Sequence, residues 1–352
     1  MNDGVKKSEN EKMNDPGQKN KILRKHPLLD VRDLRTHFFL PEGIIRAVDN
    51  VSFQVEEGEI VGLVGESGCG KSVTALSILG LIQSPPGQIV GGEILFQGKD
   101  LRKMSPDQLR RIRGDRISMI FQEPMTSLNP VYSIGDQIIE VYTEHLGLSR
   151  KEARKRAKEM LEKVQIPSPA KRIYEYPHQL SGGMRQRAMI AMALACKPAM
   201  ILADEPTTAL DVTIQAQILE LMVELQELMG TSILLITHNL GSVAEYAKRV
   251  IVMYSGKIVE EAPVIPIFES PLHPYTIGLL NSIPKLGSKA IGGKRRLEEI
   301  PGMVPSLNDL PEGCYFHPRC FKGREICRRE EPKLFEIQPG HSVACWAVME
   351  GW

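Results

Sequence analysis

The chain has 352 residues, with 44 Lys and Arg side chains against 43 Asp and Glu side chains, so its formal charge is +1 at pH 7. A charge so close to zero provides no overall field that would recruit nucleic acid or an anionic membrane. The length is sufficient for a core domain of about 200 to 250 residues and a smaller appended unit. We therefore expect no nucleic-acid partner, and we expect other partners to be recognised by local sites.

The first 26 residues are polar and charged and contain almost no large apolar side chains. They lack the apolar centre of a secretory signal, so we predict a disordered tail over residues 1–26. No run of 18 or more apolar residues occurs in the chain, which predicts that it has no membrane-spanning helix. We expect a soluble chain in the cytoplasm.

Two segments with alternating apolar residues follow the tail, LDVRDLRTHFF from Leu29 and IIRAVDNVSFQV from Ile44. They predict antiparallel strands with one buried face. The segment GEIVGLVGESGCGKSVTALSILGLI then predicts a buried strand, a glycine-rich turn and a helix, the order of an α/β nucleotide-binding fold. Two more buried strands are predicted in AMILADEP and TSILLITHN, and a hairpin in RVIVMYSGKIVEEA.

The segment GESGCGKS, from Gly65 to Ser72, fits the pattern GxxxxGKS of a phosphate-binding loop. In this pattern, glycines allow successive backbone N–H groups to point at phosphate oxygens at the N-terminus of a helix. Lys71 would reach the β- and γ-phosphates, and Ser72 would coordinate Mg²⁺. The residues expected to bind the nucleotide here are Gly65, Ser67, Gly68, Cys69, Gly70, Lys71, Ser72 and Val73.

Two acidic residues, Asp204 and Glu205, end the apolar run in MILADE. Asp204 can hold Mg²⁺ directly or through water, and Glu205 can orient and polarise an attacking water. A helix cap would explain one carboxylate but not two beside a buried strand. The pair therefore predicts nucleotide hydrolysis.

The segment LSGGMRQR, from Leu180 to Arg187, resembles the signature motif of the ATP-binding-cassette ATPases. Ser181, Gly182 and Gly183 would open a helix whose N-terminus offers a hydroxyl, free N–H groups and a positive dipole to an anion. The resemblance implies a head-to-tail dimer, in which each ATP lies between the phosphate loop of one subunit and the signature of the other. Met184 stands where the family frequently has glutamine.

Further motifs occur in the order of this family. By resemblance, Gln122 in IFQEP senses Mg²⁺ and the membrane subunit, and His238 in LLITHN contacts the γ-phosphate. Asp211 in ALD belongs to the dimer-contact loop. Phe38 would stack on adenine, with Phe39 as the alternative.

The fold that this resemblance implies is α/β. A P-loop ATPase domain over residues 27–263 would combine a RecA-like core with an antiparallel β subdomain and a helical subdomain at about residues 124–190. Prolines recur after residue 263, so we expect residues 264–352 to form a C-terminal extension.

The extension has its own resemblance. SPLHPYTIGLLNSIPKLG is similar to the extension of oligopeptide, dipeptide and nickel importer ATPases, and GCYFHPRCFKGREICRREEP is similar to the cysteine segment that ends many of them. The resemblance implies ATP-driven import of di- and oligopeptides at the cytoplasmic face of the cell membrane. Its implied partners are two transmembrane permease subunits, a second related ATPase in a heterodimer and, indirectly, an extracytoplasmic peptide-binding protein.

Two other functions stay open at this point, namely nickel import and a non-transport cassette ATPase with a metal-bound regulatory tail. Non-transport cassettes in DNA repair or translation usually have a long coiled-coil insertion or two cassettes in one chain, and the sequence has neither.

Four cysteines lie near the C-terminus with five, six and seventeen residues between them: Cys314, Cys320, Cys327 and Cys345. Four thiolates at these spacings can converge on one centre, whereas disulfides are disfavoured in a reducing cytoplasm. The resemblance implies a 4Fe-4S cluster with a structural role. Zinc, with His317 and His341 as alternative ligands, and unligated thiols are the other possibilities.

Overall fold

The computed structural model describes residues 26–123, 127–208, 210–283 and 299–352. Of the tail predicted over residues 1–26, residues 1–25 lie outside the described residues. Three other parts of the predicted motifs are also outside them: the start of the helical subdomain at 124–126, Ala209 of ALD, and the stretch 284–298. No helix in the described ranges is long and apolar enough to span a bilayer.

A small antiparallel sheet is formed by the N-terminal part of the chain. Its strands are β1 Leu29–Leu40, β2 Gly43–Val55, β4 Gly87–Phe96 and β5 Lys99–Asp100. They lie in the order β2-β1-β4-β5. This pairing confirms the antiparallel strands that were predicted from the alternating residues.

A second sheet has eight strands. They are β3 Ile60–Val64, β6 Ile117–Ile120, β7 Met200–Asp204, β8 Ser232–Thr237, β9 Arg249–Tyr254, β10 Lys257–Pro263, β11 Phe335–Gln338 and β12 His341–Val343. Their order is β11-β12-β10-β9-β3-β8-β7-β6. The run from β9 to β6 is parallel, and the rest is antiparallel. The carboxyl ends of the parallel strands therefore meet at one edge.

Helices surround the sheets. The helices of the described residues are α1 Lys71–Ile78, α2 Pro106–Ile112, α3 Ile134–Leu146, α4 Arg150–Lys163, α5 Pro169–Arg172, α6 Gly182–Leu194, α7 Val212–Met229, α8 Leu240–Tyr246, α9 Val264–Glu269, α10 Pro274–Asn281, α11 Glu325–Arg329 and α12 Trp346–Met349. Helices α3 to α6 follow β6 and precede β7. In α4 only an apolar stripe is buried, because its other positions are all charged.

The parallel strands are covered on both faces, which is why their sequences are continuously apolar. In β8, Ile233 and Leu235 join one hydrophobic cluster, whereas Leu234 and Ile236 join the other. The first cluster also contains the buried apolar side chains of α3, α4 and α6. The second contains α1 and the inner face of the small sheet.

The C-terminal extension joins the large sheet. Strand β12 pairs with β10, so that Val343 lies opposite Glu260. The Glu260 carboxylate is fully buried and accepts the backbone N–H groups of Leu272 at 2.7 Å and His273 at 3.0 Å. It also hydrogen-bonds His341 Nε2 at 2.8 Å. One buried carboxylate thus binds the extension at three points.

Candidate nucleotide-binding and hydrolysis site

The phosphate-loop segment connects β3 to α1 at the carboxyl edge of the large sheet. Gly70 precedes the first residue of α1 with φ +102°, a left-handed conformation that favours glycine. A Cβ at Gly70 would collide with the carbonyl oxygen of Ala47. Ser67 and Gly68 are exposed, whereas Cys69 is buried and Val73 half-buried. The loop therefore has an exposed stretch at Ser67 and Gly68 and, at Gly70, a backbone conformation that requires glycine.

Lys71 is almost completely buried and lies under the loop. Its Nζ donates hydrogen bonds to the carbonyl oxygens of Gly65 at 2.9 Å and Glu66 at 3.0 Å. It also lies 3.7 Å from the Cys69 sulfur. The ammonium is therefore held inside the curve of the loop.

Ser72 connects the loop to the acid pair. Its hydroxyl donates to Asp204 Oδ1 at 3.0 Å, although the two residues are 132 positions apart. Asp204 ends strand β7, and burial raises the pKa of its carboxyl despite the hydrogen bond from Ser72. The two oxygen ligands that were predicted for Mg²⁺ are thus neighbours.

Glu205 is held by three side chains. Its Oε2 accepts hydrogen bonds from Gln122 Nε2 at 3.0 Å and from the Thr208 hydroxyl at 2.8 Å. Its Oε1 lies 3.1 Å from Nδ1 of His238. The residue also has φ +45°, a left-handed conformation that is uncommon outside glycine and found often at functional sites.

The pKa values of the two adjacent carboxyls are shifted in opposite directions. Burial raises the pKa of both groups, but at Glu205 the hydrogen bonds from His238 and Thr208 outweigh it and the net pKa is lowered. At Asp204 burial dominates. Glu205 is therefore the more readily ionised member of the pair.

The predicted signature residues lie beside the predicted dimer-contact loop, with Gly182 close to Leu210. Ser181 caps α6, and its hydroxyl accepts the N–H of Met184 at 3.3 Å. A Cβ at Gly183 would lie 3.0 Å from a methyl carbon of Ile214. Asp211 caps α7 by accepting the N–H of Ile214 at 3.0 Å. Ser181, Gly182 and Asp211 are exposed, so one surface presents both motifs.

The two candidates for adenine stacking differ in exposure. Phe38 is half-buried and lies opposite Gly87 of β4. Phe39 is 46% exposed. The choice between them remains a prediction.

The four C-terminal cysteines lie close enough together for their sulfur atoms to interact electrostatically. The Cys314 N–H donates to the Cys327 carbonyl oxygen at 2.8 Å. Burial, reinforced by the neighbouring thiols, raises the pKa of Cys314 to about 12 and that of Cys320 to about 11, and it also raises that of Cys345. Among the residues that the structure describes, however, no three His, Cys, Asp or Glu side chains form an arrangement that could hold a metal ion.

Several residues at the site were missed by the sequence analysis. Thr208 lies three positions after Glu205 and donates its hydroxyl to the Glu205 carboxylate. Glu66, an unspecified position of the loop pattern, binds Arg319, and its N–H donates to the Tyr275 hydroxyl. The spacing to Glu205 could have indicated Thr208, but no local pattern indicates the contacts of Glu66.

Comparison with solved structures defines the class of protein. The chain is similar to the dimeric, post-hydrolysis ATP-binding cassette MJ0796 bound to ADP and Pi, with a TM-score of 0.61 and 30% identity over 67% of this chain and 98% of that one. A second structure, of CbiO1 from Clostridium perfringens, gives a TM-score of 0.58 with 27% identity over 69% of this chain and 91% of that one. The fold is that of an ATP-binding cassette, with its helical and β subdomains.

Comparison with sequences defines the family. Residues 48–208 match the model described as ABC transporter, and residues 259–327 match the model described as oligopeptide/dipeptide transporter, C-terminal region. The probable peptide ABC transporter ATP-binding protein y4tR of Sinorhizobium fredii is 56% identical, over 92% of this chain and 96% of that protein. The dipeptide transport ATP-binding protein DppD of Escherichia coli is 49% identical, over 90% and 96%. The chain belongs to the ATP-binding proteins of the peptide ABC transporters.

The contact between Thr208 and Glu205 generates a prediction. Thr208→Val keeps the shape of the side chain but removes the hydroxyl that donates to Glu205. Because one hydrogen bond contributes about 0.5–1.5 kcal/mol, we expect kcat for ATP hydrolysis to fall roughly two- to tenfold with little change in KM. Steady-state ATPase assays measure both constants.

The matched control is Thr143→Val. The hydroxyl of Thr143 donates to a backbone carbonyl of helix α3. It should leave kcat unchanged. An unchanged kcat in Thr208→Val as well would exclude a role for this hydroxyl in the orientation of Glu205.

Proposed function

We propose that this chain is the ATP-hydrolysing subunit of an ABC transporter that imports di- and oligopeptides. The observation that carries the proposal is the hydrogen bond from Ser72 to Asp204, which joins the phosphate loop to the acid pair. The peptide substrate is supported by the match of residues 259–327 to the oligopeptide/dipeptide transporter C-terminal region and by the names of the relatives.

Ser72 and Asp204 suit a magnesium ion. Both present oxygen atoms, the ligands that Mg²⁺ prefers, and these atoms are 3.0 Å apart at the mouth of the loop. Mg²⁺, when bound, would neutralise charge on the β- and γ-phosphates. The loop N–H groups and Lys71 would hold the phosphates, and Phe38 or Phe39 would stack on adenine.

Glu205 is the residue that we propose to orient and polarise the attacking water. A glutamate is ionised at neutral pH, and the lowered pKa of Glu205 is consistent with this state, which an acceptor of a water proton requires. Gln122 and His238 hold its carboxylate and would lie beside the γ-phosphate. Nickel import would use the same residues, but the relatives named for peptide and dipeptide transport support the peptide substrate over nickel and over a non-transport cassette.

The exposed signature residues support a dimer. Ser181 and Gly182 lie on the same surface as Asp211, and the neighbouring Val212 is 81% exposed. We propose that this surface contacts the phosphate loop of a second, related ATPase in a head-to-tail heterodimer, as the dimeric form of the similar cassette supports. A stable and fully active homodimer of this chain alone would contradict the heterodimer.

The remaining partners follow from the proposed transport. Two transmembrane permease subunits would carry the peptide, which an extracytoplasmic peptide-binding protein would deliver. The chain would then work at the cytoplasmic face of the membrane. Failure to co-purify with permease subunits encoded beside it would contradict this assembly.

For the extension we propose a 4Fe-4S cluster on Cys314, Cys320, Cys327 and Cys345, with a structural role. The backbone hydrogen bond between two of these cysteines and the mutual effect of the thiols on their pKa values support a common centre. The thiols would have to rotate to reach ligand geometry, since the described residues hold no ready-made metal group. Zinc is the alternative, but His341 is already engaged by Glu260.

We predict that Glu205→Gln binds ATP but hydrolyses it slowly. The amide cannot accept the proton of the attacking water, so the rate should fall by roughly two to four orders of magnitude. Nucleotide binding and single-turnover hydrolysis should be measured in parallel. The control Glu162→Gln, in a side chain that is 54% exposed on α4, should hydrolyse ATP normally, and normal turnover in Glu205→Gln would remove this residue from the mechanism.

The substrate is tested by growth. A strain that lacks this chain should fail to grow on di- or oligopeptides as the source of a required amino acid and should grow normally in nickel-limited medium. Complementation with the parent chain, but not with Glu205→Gln, should restore growth. The reverse result, growth on peptides and failure in nickel-limited medium, would contradict the peptide substrate.

The cluster is tested by colour and metal content. Protein that is purified anaerobically should be brown and should contain iron and sulfide, and Cys320→Ser should lose both. Cys196→Ser, outside the extension, is the control and should keep the colour. A colourless preparation with stoichiometric zinc and no iron would contradict the cluster.

A further inference from the structure

The C-terminal extension packs directly beneath the phosphate loop. Tyr275 of α10 and Phe316 contact Tyr254 at the end of β9, with ring centroids 4.7 Å and 5.2 Å apart respectively. All three rings are at most 2% exposed. This aromatic cluster fixes two segments of the extension against the core beside Gly65 and Glu66 of the loop.

Arg319 extends from this cluster to the loop. Its guanidinium forms a bidentate ion pair with Glu66, with Nη1 to Oε2 at 2.8 Å and Nη2 to Oε1 at 3.1 Å. Its Nε donates to the carbonyl oxygen of Pro301 at 3.2 Å. The Arg319 side chain is only 4% exposed, so its guanidinium is shielded from water, whereas the Glu66 side chain is 28% exposed.

The burial of Arg319 makes its partner necessary. An arginine in this environment is costly unless an acid satisfies it, and removal of one member leaves the other charge uncompensated. Glu66 is the acidic residue at hydrogen-bonding distance from its guanidinium. The planar fork of arginine also fixes the direction of the carboxylate, which an ammonium group would not do.

Glu66 is held at its other polar groups as well. Its backbone N–H donates to the Tyr275 hydroxyl at 2.8 Å. Its carbonyl oxygen accepts the hydrogen bond from Lys71 Nζ at 3.0 Å. The residue that supports the phosphate-binding lysine is therefore itself positioned by two side chains of the extension.

We propose that Arg319 is a positioning residue for nucleotide binding, which acts through Glu66 to set the conformation of the phosphate loop and the place of Lys71. The C-terminal extension is then a functional part of the nucleotide site. The proposal rests on the proposed role of the phosphate loop, and the experiment below separates the two.

The experiment measures the equilibrium affinity of the full chain for MgATP. Arg319→Gln and Glu66→Gln should each weaken binding about tenfold, the effect of losing one charge-assisted contact. Arg319→Lys should recover part of the affinity, since it keeps the charge but not the fork. The double variant should be no weaker than either single variant, because both remove the same interaction.

The matched control is Arg329→Gln, which removes an exposed arginine of the same extension that pairs with Glu325. It should bind MgATP like the parent, since exposed ion pairs contribute little. Circular dichroism at the assay temperature verifies that each variant is folded. If Arg319 variants do not accumulate, Glu66→Gln and Tyr275→Phe decide the question, because they test the same link from the side of the loop and of α10.

Parent-like affinity in Arg319→Gln and Glu66→Gln, or strictly additive losses in the double variant, would overturn the proposal. So would parent-like affinity in Glu66→Gln and Tyr275→Phe where the Arg319 variants cannot be made. Lys71→Ala distinguishes this failure from that of the proposed function. If Lys71→Ala binds MgATP normally, the phosphate-loop role fails. If Lys71→Ala loses binding while the Arg319 and Glu66 variants bind like the parent, only the role of Arg319 is rejected.

Discussion

The register of three parallel strands is the constraint on which the rest of the site depends. Val64 of β3 lies beside Thr237 of β8, and Asp204 of β7 lies beside Ile236. Each strand therefore ends at the same edge of the sheet, and the residues that follow them are brought together. This is why a loop, two acids and a histidine from distant parts of the chain meet in one place.

Within that site, the carboxyl groups of Asp204 and Glu205 differ in pKa and in hydrogen bonding because their surroundings differ. Asp204 loses solvation at the end of a buried strand, whereas Glu205 turns out of the strand with a left-handed backbone and gains three hydrogen-bonding partners. This difference supports the proposal that the first carboxylate binds Mg²⁺ and the second orients the attacking water. The strained backbone conformation of Glu205 accompanies this difference between the two carboxyl groups.

The extension is integrated with the cassette at two levels. Strand pairing through β10 and β12, together with the buried carboxylate of Glu260, makes it continuous with the large sheet. The aromatic cluster and the Arg319–Glu66 ion pair then connect it to the phosphate loop. An extension joined in this way can transmit a change in its own conformation to the nucleotide site, because packed cores and buried ion pairs deform little before they rearrange.

The sequence by itself determined the features that depend on local patterns. The glycine-rich loop, the buried apolar strands and the helix start at Ser181 all follow from residues close together in the chain, and each was predicted. Only the tertiary structure decided the contacts between distant residues, such as Gln122 with Glu205 across 83 positions and Arg319 with Glu66 across 253 positions. Such contacts leave no periodicity or spacing in a single sequence. They depend on which strands lie side by side and on the need of a buried charge for a partner of opposite charge.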